Sequence, residues 1–277
     1  PRIRLSVDDV IFYTDYTGSG RAEVELNKKA YPDFSDKSIR FRFLDGENTI
    51  LEKIVKDLSD NTVEFVYDTA LIEKNEYAYT IEAAVLDKAG KVIGTADRRV
   101  YKFDRPQALD ENGFFHRQDT GEIVNPVIAY HVTKEMYPSC KEVGVTVVQA
   151  PMHYLDDLQK AGLMGLGVLY GNMKPAAHPD NVKNLADTIR KYKDHPALFA
   201  YAVMDEPYGN YSEPDRWLED SYTIIRTIDP YHPVYICEDP HKEHIDESAK
   251  YCDVLCSDPY PRELYNPAAY IGEIMKI

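Results

Sequence analysis

Between Arg2 and about Phe103, apolar and polar residues alternate one for one, as in Ala22-Glu23-Val24-Glu25-Leu26, Ile39-Arg40-Phe41-Arg42-Phe43 and Ala78-Tyr79-Thr80-Ile81. Successive side chains of a strand point to opposite faces, so a period of two with one polar face predicts half-exposed antiparallel strands. Asp45-Gly46 and Asp87-Lys88-Ala89-Gly90 fall between such runs, and the second reads as the turn of a hairpin. Residues 1–105 are expected to form an immunoglobulin-like β-sandwich. The segment gathers no cluster of His, Ser or Cys, and its charges read as a solvated face.

Past Asp104-Arg105-Pro106 the period changes, and apolar strand-like runs alternate with helical ones. The strands are expected at Pro126–His131, Val145–Gln149, Leu163–Tyr170, Leu198–Glu206, Pro233–Glu238 and Asp253–Asp258. Between them, helices are expected from Thr133 to about Gly144, around Leu155 and Leu158 up to Gly162, from Asn181 to Lys193, and from a Ser212 cap onward. The inner stripe of that last helix would be Leu218, Ser221, Ile224, Ile225 and Ile228, and Asn266–Ile277 reads as the start of a further helix. Six βα units in series, without a glycine-rich phosphate fingerprint after the first strand, predict an incomplete (β/α)8 barrel over residues 106–277.

One run stands out: Leu198 to Pro207, LFAYAVMDEP. It is apolar on both faces, as a buried parallel strand is, and it ends in two carboxylates followed by proline. Strict alternation puts Glu206 with Ala200, Ala202 and Met204, and Asp205 with Phe199, Tyr201 and Val203. Catalytic groups of parallel α/β folds gather at the carboxyl ends of strands, where Asp205 and Glu206 stand.

At 277 residues and 44% hydrophobic, the chain can bury a substantial core. Its formal net charge of -15 repels phosphate backbones and anionic lipid, and no dense Lys/Arg run reverses that locally, so neither nucleic acid nor a membrane is expected as a partner. No apolar stretch approaches the roughly 20 residues that span a bilayer. The start at Pro1 points to removal of an upstream segment, and a secreted or periplasmic compartment is the expectation. Cys140, Cys237, Cys252 and Cys256 form no CxxC pair and read as plain buried thiols. His153, His241 and His244 read as solvated loop residues, and no metal is expected.

A sandwich, an entry at Leu109-Asp110-Glu111-Asn112-Gly113, and a barrel in which His195-Pro196-Ala197-Leu198 leads to Asp205-Glu206-Pro207 together resemble the sandwich-plus-barrel glycoside hydrolases of the large retaining clan, family 2 and its relatives. Asp229-Pro230-Tyr231-His232-Pro233 and Asp258-Pro259-Tyr260-Pro261 extend the resemblance along nearly the whole chain. It implies hydrolysis of a β-linked glycoside by two carboxylates, with a carbohydrate substrate and no cofactor. Glu206 matches the acid/base at the end of the fourth strand. The nucleophile belongs at the end of the seventh, which places it beyond Ile277 and makes the remainder of a parent chain necessary to close the barrel. Asp205 departs from the clan, which usually has an asparagine there; an ionised aspartate only accepts hydrogen bonds. His131, Gln149, Tyr170, Glu238 and Tyr260 stand at the other strand ends and, with Asp205, are the candidate substrate-binding residues. Within the chain, Glu238 is the alternative partner carboxylate. The alternative function is a non-catalytic carbohydrate-binding barrel that has lost the catalytic pair.

Overall fold

The computed structural model describes residues 2–73, 78–169, 179–211 and 214–258, with the backbone alone at 179–182. The chain divides into two compact units, Pro1–Arg105 and Pro106–Ile277. Among the described residues no helix is long and apolar enough to cross a membrane.

The first unit holds β1 (Ile3–Val7), β2 (Ile11–Tyr13), β3 (Ser19–Leu26), β4 (Ser38–Asp45), β5 (Asn48–Val55), β6 (Thr62–Asp68), β7 (Tyr79–Leu86) and β8 (Val92–Phe103). They form a three-stranded sheet, β1-β3-β6, and a five-stranded sheet, β2-β8-β7-β4-β5. The alternation does what it predicts: Ala22, Val24 and Leu26 are buried on β3, and Ile39, Phe41 and Phe43 on β4. Phe41 stacks on Phe65 of the other sheet with ring centroids 5.0 Å apart, so the two apolar faces close on each other as a sandwich. Burying each such ring contributes roughly 1.5–3 kcal/mol. On the outer face Arg40 and Arg42 converge on Glu82 of the adjacent strand, at 3.7 and 2.8 Å. Gly90 takes φ +80° in the β7–β8 turn, closed by Asp87 N–H donating to Lys91 O. One pairing departs from the antiparallel expectation: β2 runs parallel to β8.

The second unit opens with a small hairpin, β9 (Phe115–His116) and β10 (Ile123–Val124). A parallel sheet follows in strict chain order: β11 (Ile128–Ala129), β12 (Val147–Pro151), β13 (Met164–Val168), β14 (Leu198–Asp205), β15 (Val234–Glu238) and β16 (Val254–Ser257). The helices are α1 (Tyr137–Glu142), α2 (Leu155–Lys160), α3 (Pro179–Tyr192), α4 (Pro207–Asn210), α5 (Asp215–Ile228) and α6 (Lys242–Ser248). Six neighbouring parallel strands joined by helices make the partial (β/α) barrel that the pattern predicts. Val147, Met164, Leu166, Ala200, Ala202 and Tyr235 line its inner face with Ala108 and Phe115, whose ring lies 4.4 Å from that of Phe199. On the outer face Gly165 and Gly167 let the segment 152–160 approach; a Cβ at Gly165 would stand 2.4 Å from Leu155 Cδ2.

Two elements differ from expectation. The first strand is two residues long rather than six. Helix α5 begins at Asp215 behind Pro214, and Ser212 lies outside the described residues. Its buried face is Trp217, Leu218, Ser221, Tyr222, Ile225 and Arg226, whereas Ile224 and Ile228 are only half-buried. The polar members pin loops: Tyr222 Oη donates to Asp253 Oδ1 at 2.6 Å, and Arg226 Nη1 to the carbonyls of Asp229 and His232. Such partners offset part of the cost of burying a tyrosine hydroxyl or a guanidinium on a core face.

Candidate active site

Strand β14 carries two irregularities that reset which residues face the concave side. Gly165 pairs with Leu198 but Leu166 with Ala200, leaving Phe199 extra; Ala202 pairs with Tyr235 but Met204 with Ile236, leaving Val203 extra. Each is a bulge, and a bulge shifts the alternation by one. Past the second one Asp205 pairs with Cys237, which packs against the inner core, so Asp205 shares the face of Ala200 and Ala202. The expected grouping of Glu206 with Ala200, Ala202 and Met204 is therefore corrected, because the extra Val203 takes up one step of the pleat.

Glu206 leaves the strand with φ +44° and ψ +58°, in the left-handed region that non-glycine residues rarely occupy. Such a conformation costs on the order of 1–3 kcal/mol and persists where neighbours over-determine it. Here Glu206 N–H donates to Cys237 O at 2.8 Å, Pro207 starts α4, and Asn210 N–H donates back to Glu206 O at 2.9 Å. Asn210 Nδ2 also reaches the Asp205 carbonyl at 3.3 Å and Glu206 Oε2 at 3.5 Å. Burial holds the Glu206 carboxyl above its ordinary range, and the negative charges of Asp258, Asp205, Asp239 and Glu238 push the same way. Among the described residues no lysine or arginine is paired with Glu206, Asp205, Glu238 or Asp239. Among the described residues His131 is the other non-glycine residue at positive φ, +53°.

Glu238 is fully buried and accepts three hydrogen bonds, from Ser248 Oγ at 2.6 Å, Asp239 N at 3.0 Å and Tyr208 N at 3.2 Å. It follows Cys237 by one residue and so faces the helix layer, away from the concave side. Its three hydrogen bonds brace the loop after β15 against α4 and α6. His244, expected in a solvated loop, belongs to the same brace, with Nδ1 2.8 Å from Asp239 Oδ1. Glu238, Asp239 and His244 bring ligand-type atoms within 4.8 Å of one another, but these bonds already engage both Glu238 oxygens and Asp239 Oδ1.

Of the other expected residues, Gln149 faces the concave side, paired with inward Leu166. His131 is exposed, its ring edge-on to Tyr130 at 4.0 Å. Tyr170 and Tyr260 lie outside the described residues. The sequence reading missed Tyr130, whose hydroxyl donates to Asp205 Oδ2 at 3.1 Å. Strand pairing sets this placement: Ile128 pairs with inward Val147, and Tyr130 is two residues further along. A second missed constellation lies under the sheet. Buried Asp229 accepts from Tyr201 Oη at 2.7 Å, His232 Nδ1 at 2.8 Å, and the N–H groups of Tyr231 and His232 at 2.8 and 3.1 Å.

No family model matches the chain. Over 131 residues it is 24% identical to the beta-glucuronidases of Chlorocebus aethiops and Homo sapiens, a match covering 47% of this chain and 18% of each relative. Among solved structures, the beta-glucuronidase of Parabacteroides merdae aligns with 100% of this chain and 38% of its own length, at 12% identity and a TM-score of 0.44. A glycosyl hydrolase family 2 member from Bacteroides cellulosilyticus aligns with 99% of this chain and 40% of its own, at 14% identity and a TM-score of 0.42. The chain thus spans well under half the length of these proteins. The resemblance to sandwich-plus-barrel glycosidases is met as a distant similarity to beta-glucuronidases, with this partial barrel corresponding to part of longer chains.

Proposed function

We propose that this chain is the sandwich and the first part of the barrel of a β-glycosidase that acts by a two-carboxylate retaining mechanism, with Glu206 as general acid/base. The observation that carries the reading is the setting of Glu206. It ends a central strand of the parallel sheet, is half-buried among four carboxylates, and is held above its ordinary pKa by desolvation. A raised pKa is the direction that a proton donor to a leaving glycosidic oxygen requires. Asp205, its carboxylate oriented by Tyr130, accepts from a sugar hydroxyl beside the acid, and Gln149 lines the same face. His131, Tyr170 and Tyr260 complete the candidate sugar contacts. The nucleophile comes from a strand after Ile277, because Glu238 is committed to its brace.

The similarity to beta-glucuronidases makes an aryl β-glucuronide the first substrate to assay, beside neutral aryl β-glycosides. Among the described residues the carboxylate-rich mouth offers a uronate no paired cation. Glu206→Gln in the full parent protein is expected to lower kcat about a hundredfold or more for substrates with poor leaving groups and much less for activated aryl glycosides. Equal losses on both would refute the acid role.

A further inference from the structure

Cys237 and Cys256 are direct partners on the adjacent parallel strands β15 and β16. Both pack against the concave core, so their side chains leave the same face of the sheet, and both are only half-buried. Paired residues of neighbouring strands are about 4.7–4.9 Å apart, within the roughly 4.4–6.8 Å between Cα atoms that a disulfide bridges. Cys140 and Cys252 have no such relation: Cys140 is buried on α1, and Cys252 lies before β16.

The geometry points to Cys237 and Cys256 as a redox-active dithiol, a modification site at which a low-molecular-weight disulfide installs a cross-strand cystine. The two sulfurs are chemically unequal. Interaction with Cys237 holds the Cys256 thiol below its ordinary pKa, with the Tyr235 hydroxyl assisting and burial and the negative charges of Asp258 and Asp205 opposing; its Sγ also lies 3.7 Å from Ser257 O. The same contact, together with burial, pushes Cys237 up. We assign the attack to Cys256 and the resolving step to Cys237, its direct partner on the adjacent strand. In the first step the Cys256 thiolate attacks one sulfur of the reagent, forming a mixed disulfide and expelling one thiolate. In the second, Cys237 gives up its proton and attacks the Cys256 sulfur, closing the bond between β15 and β16 and releasing the second thiolate. Two protein thiols are oxidised, one reagent disulfide is reduced to two thiols, and the proton goes to a leaving thiolate. The bond would lie beside Asp205, whose strand partner is Cys237. This inference is independent of the glycosidase reading.

The test is incubation of the 277-residue chain with oxidised glutathione, followed by intact-mass and peptide mass analysis. The expected result is loss of two hydrogens and a peptide pair linking Cys237 to Cys256, with Cys140 and Cys252 still free. In Cys237→Ser the resolving step is absent, and one glutathione should accumulate on Cys256. Four free thiols after oxidation, or a link between any other pair, would overturn the proposal. A measurement on the unmodified sequence guards against a misfolded variant: at pH 7 iodoacetamide should label Cys256 at least about tenfold faster than Cys140 or Cys252. Equal rates would also overturn it.

Discussion

Replacing Tyr201 by phenylalanine removes one oxygen from the buried Asp229 constellation and leaves the ring in place. Tyr201 is fully buried, and its hydroxyl donates to Asp229 Oδ2 at 2.7 Å. Burial alone would raise the Asp229 carboxyl, but the hydrogen bond and charge of His232, with the Tyr201 bond, outweigh it and leave Asp229 below the ordinary aspartate value. The acceptor is thus ionised at neutrality, and a hydrogen bond to a charged group contributes about 1.5–3 kcal/mol. Three other donors remain, so the loss should stay in that range and below the roughly 3–5 kcal/mol of a fully stranded buried charge. Trp217, the single tryptophan of the sequence, is buried in α5 of the same unit, so its fluorescence follows that unit through urea unfolding. With a denaturant slope of about 2 kcal/mol/M, the midpoint should fall by about 1 M. The pH dependence supplies a second readout. Because the folded pKa of Asp229 is depressed, its contribution is present above the unfolded value of about 3.9 and is lost as pH falls through the folded value. Tyr201→Phe removes one of the depressing bonds, so the folded value rises toward the unfolded one and the acid loss should be smaller and complete at a higher pH. A stability change under about 0.5 kcal/mol at pH 7 would refute the charge-assisted bond, as would an unmoved acid limb.

Three further outcomes follow from the site and its supports. Asp239→Asn removes one of the negative charges that hold the Glu206 carboxyl up, so the Glu206 pKa should fall; carboxyl-carbon NMR titration would show it, and a rise would contradict the electrostatic account. With Glu206 as the proposed general acid, which must be protonated, the high-pH limb of kcat/KM measured on the parent protein should move down with it. Glu238→Gln keeps the shape of the brace but loses the charge, and should cost about 1.5–3 kcal/mol in the Trp217 assay; wild-type stability would show that the brace carries no weight. Gly165→Ala puts a methyl 2.4 Å from Leu155 Cδ2 and 3.0 Å from Leu158 Cδ1. It should destabilise by about 1–3 kcal/mol through overpacking, and a neutral result would mean that α2 shifts away freely.

The chain's periodicity by itself determined the kind and order of its elements, because burial of one face imposes a period of two on strands and about 3.6 on helices. The period-two runs at Ala22–Leu26 and Ile39–Phe43 became β3 and β4. The apolar run at Leu198 became a parallel strand with carboxylates at its end, and Asp87–Gly90 became a turn. Tertiary structure decided which way side chains face wherever pairing, not pattern, sets the count. The extra residues Phe199 and Val203 exist only relative to β13 and β15, and the second moved Asp205 onto the concave face of Ala200 and Ala202. The same sheet placed Tyr130 on Asp205, turned Glu238 toward the helices, and set Cys237 beside Cys256. It also buried Asp229 with donors from Tyr201 and His232. None of these relations is carried by a local period, because each joins residues of different elements, or of a strand and a loop, that become neighbours only when the chain folds.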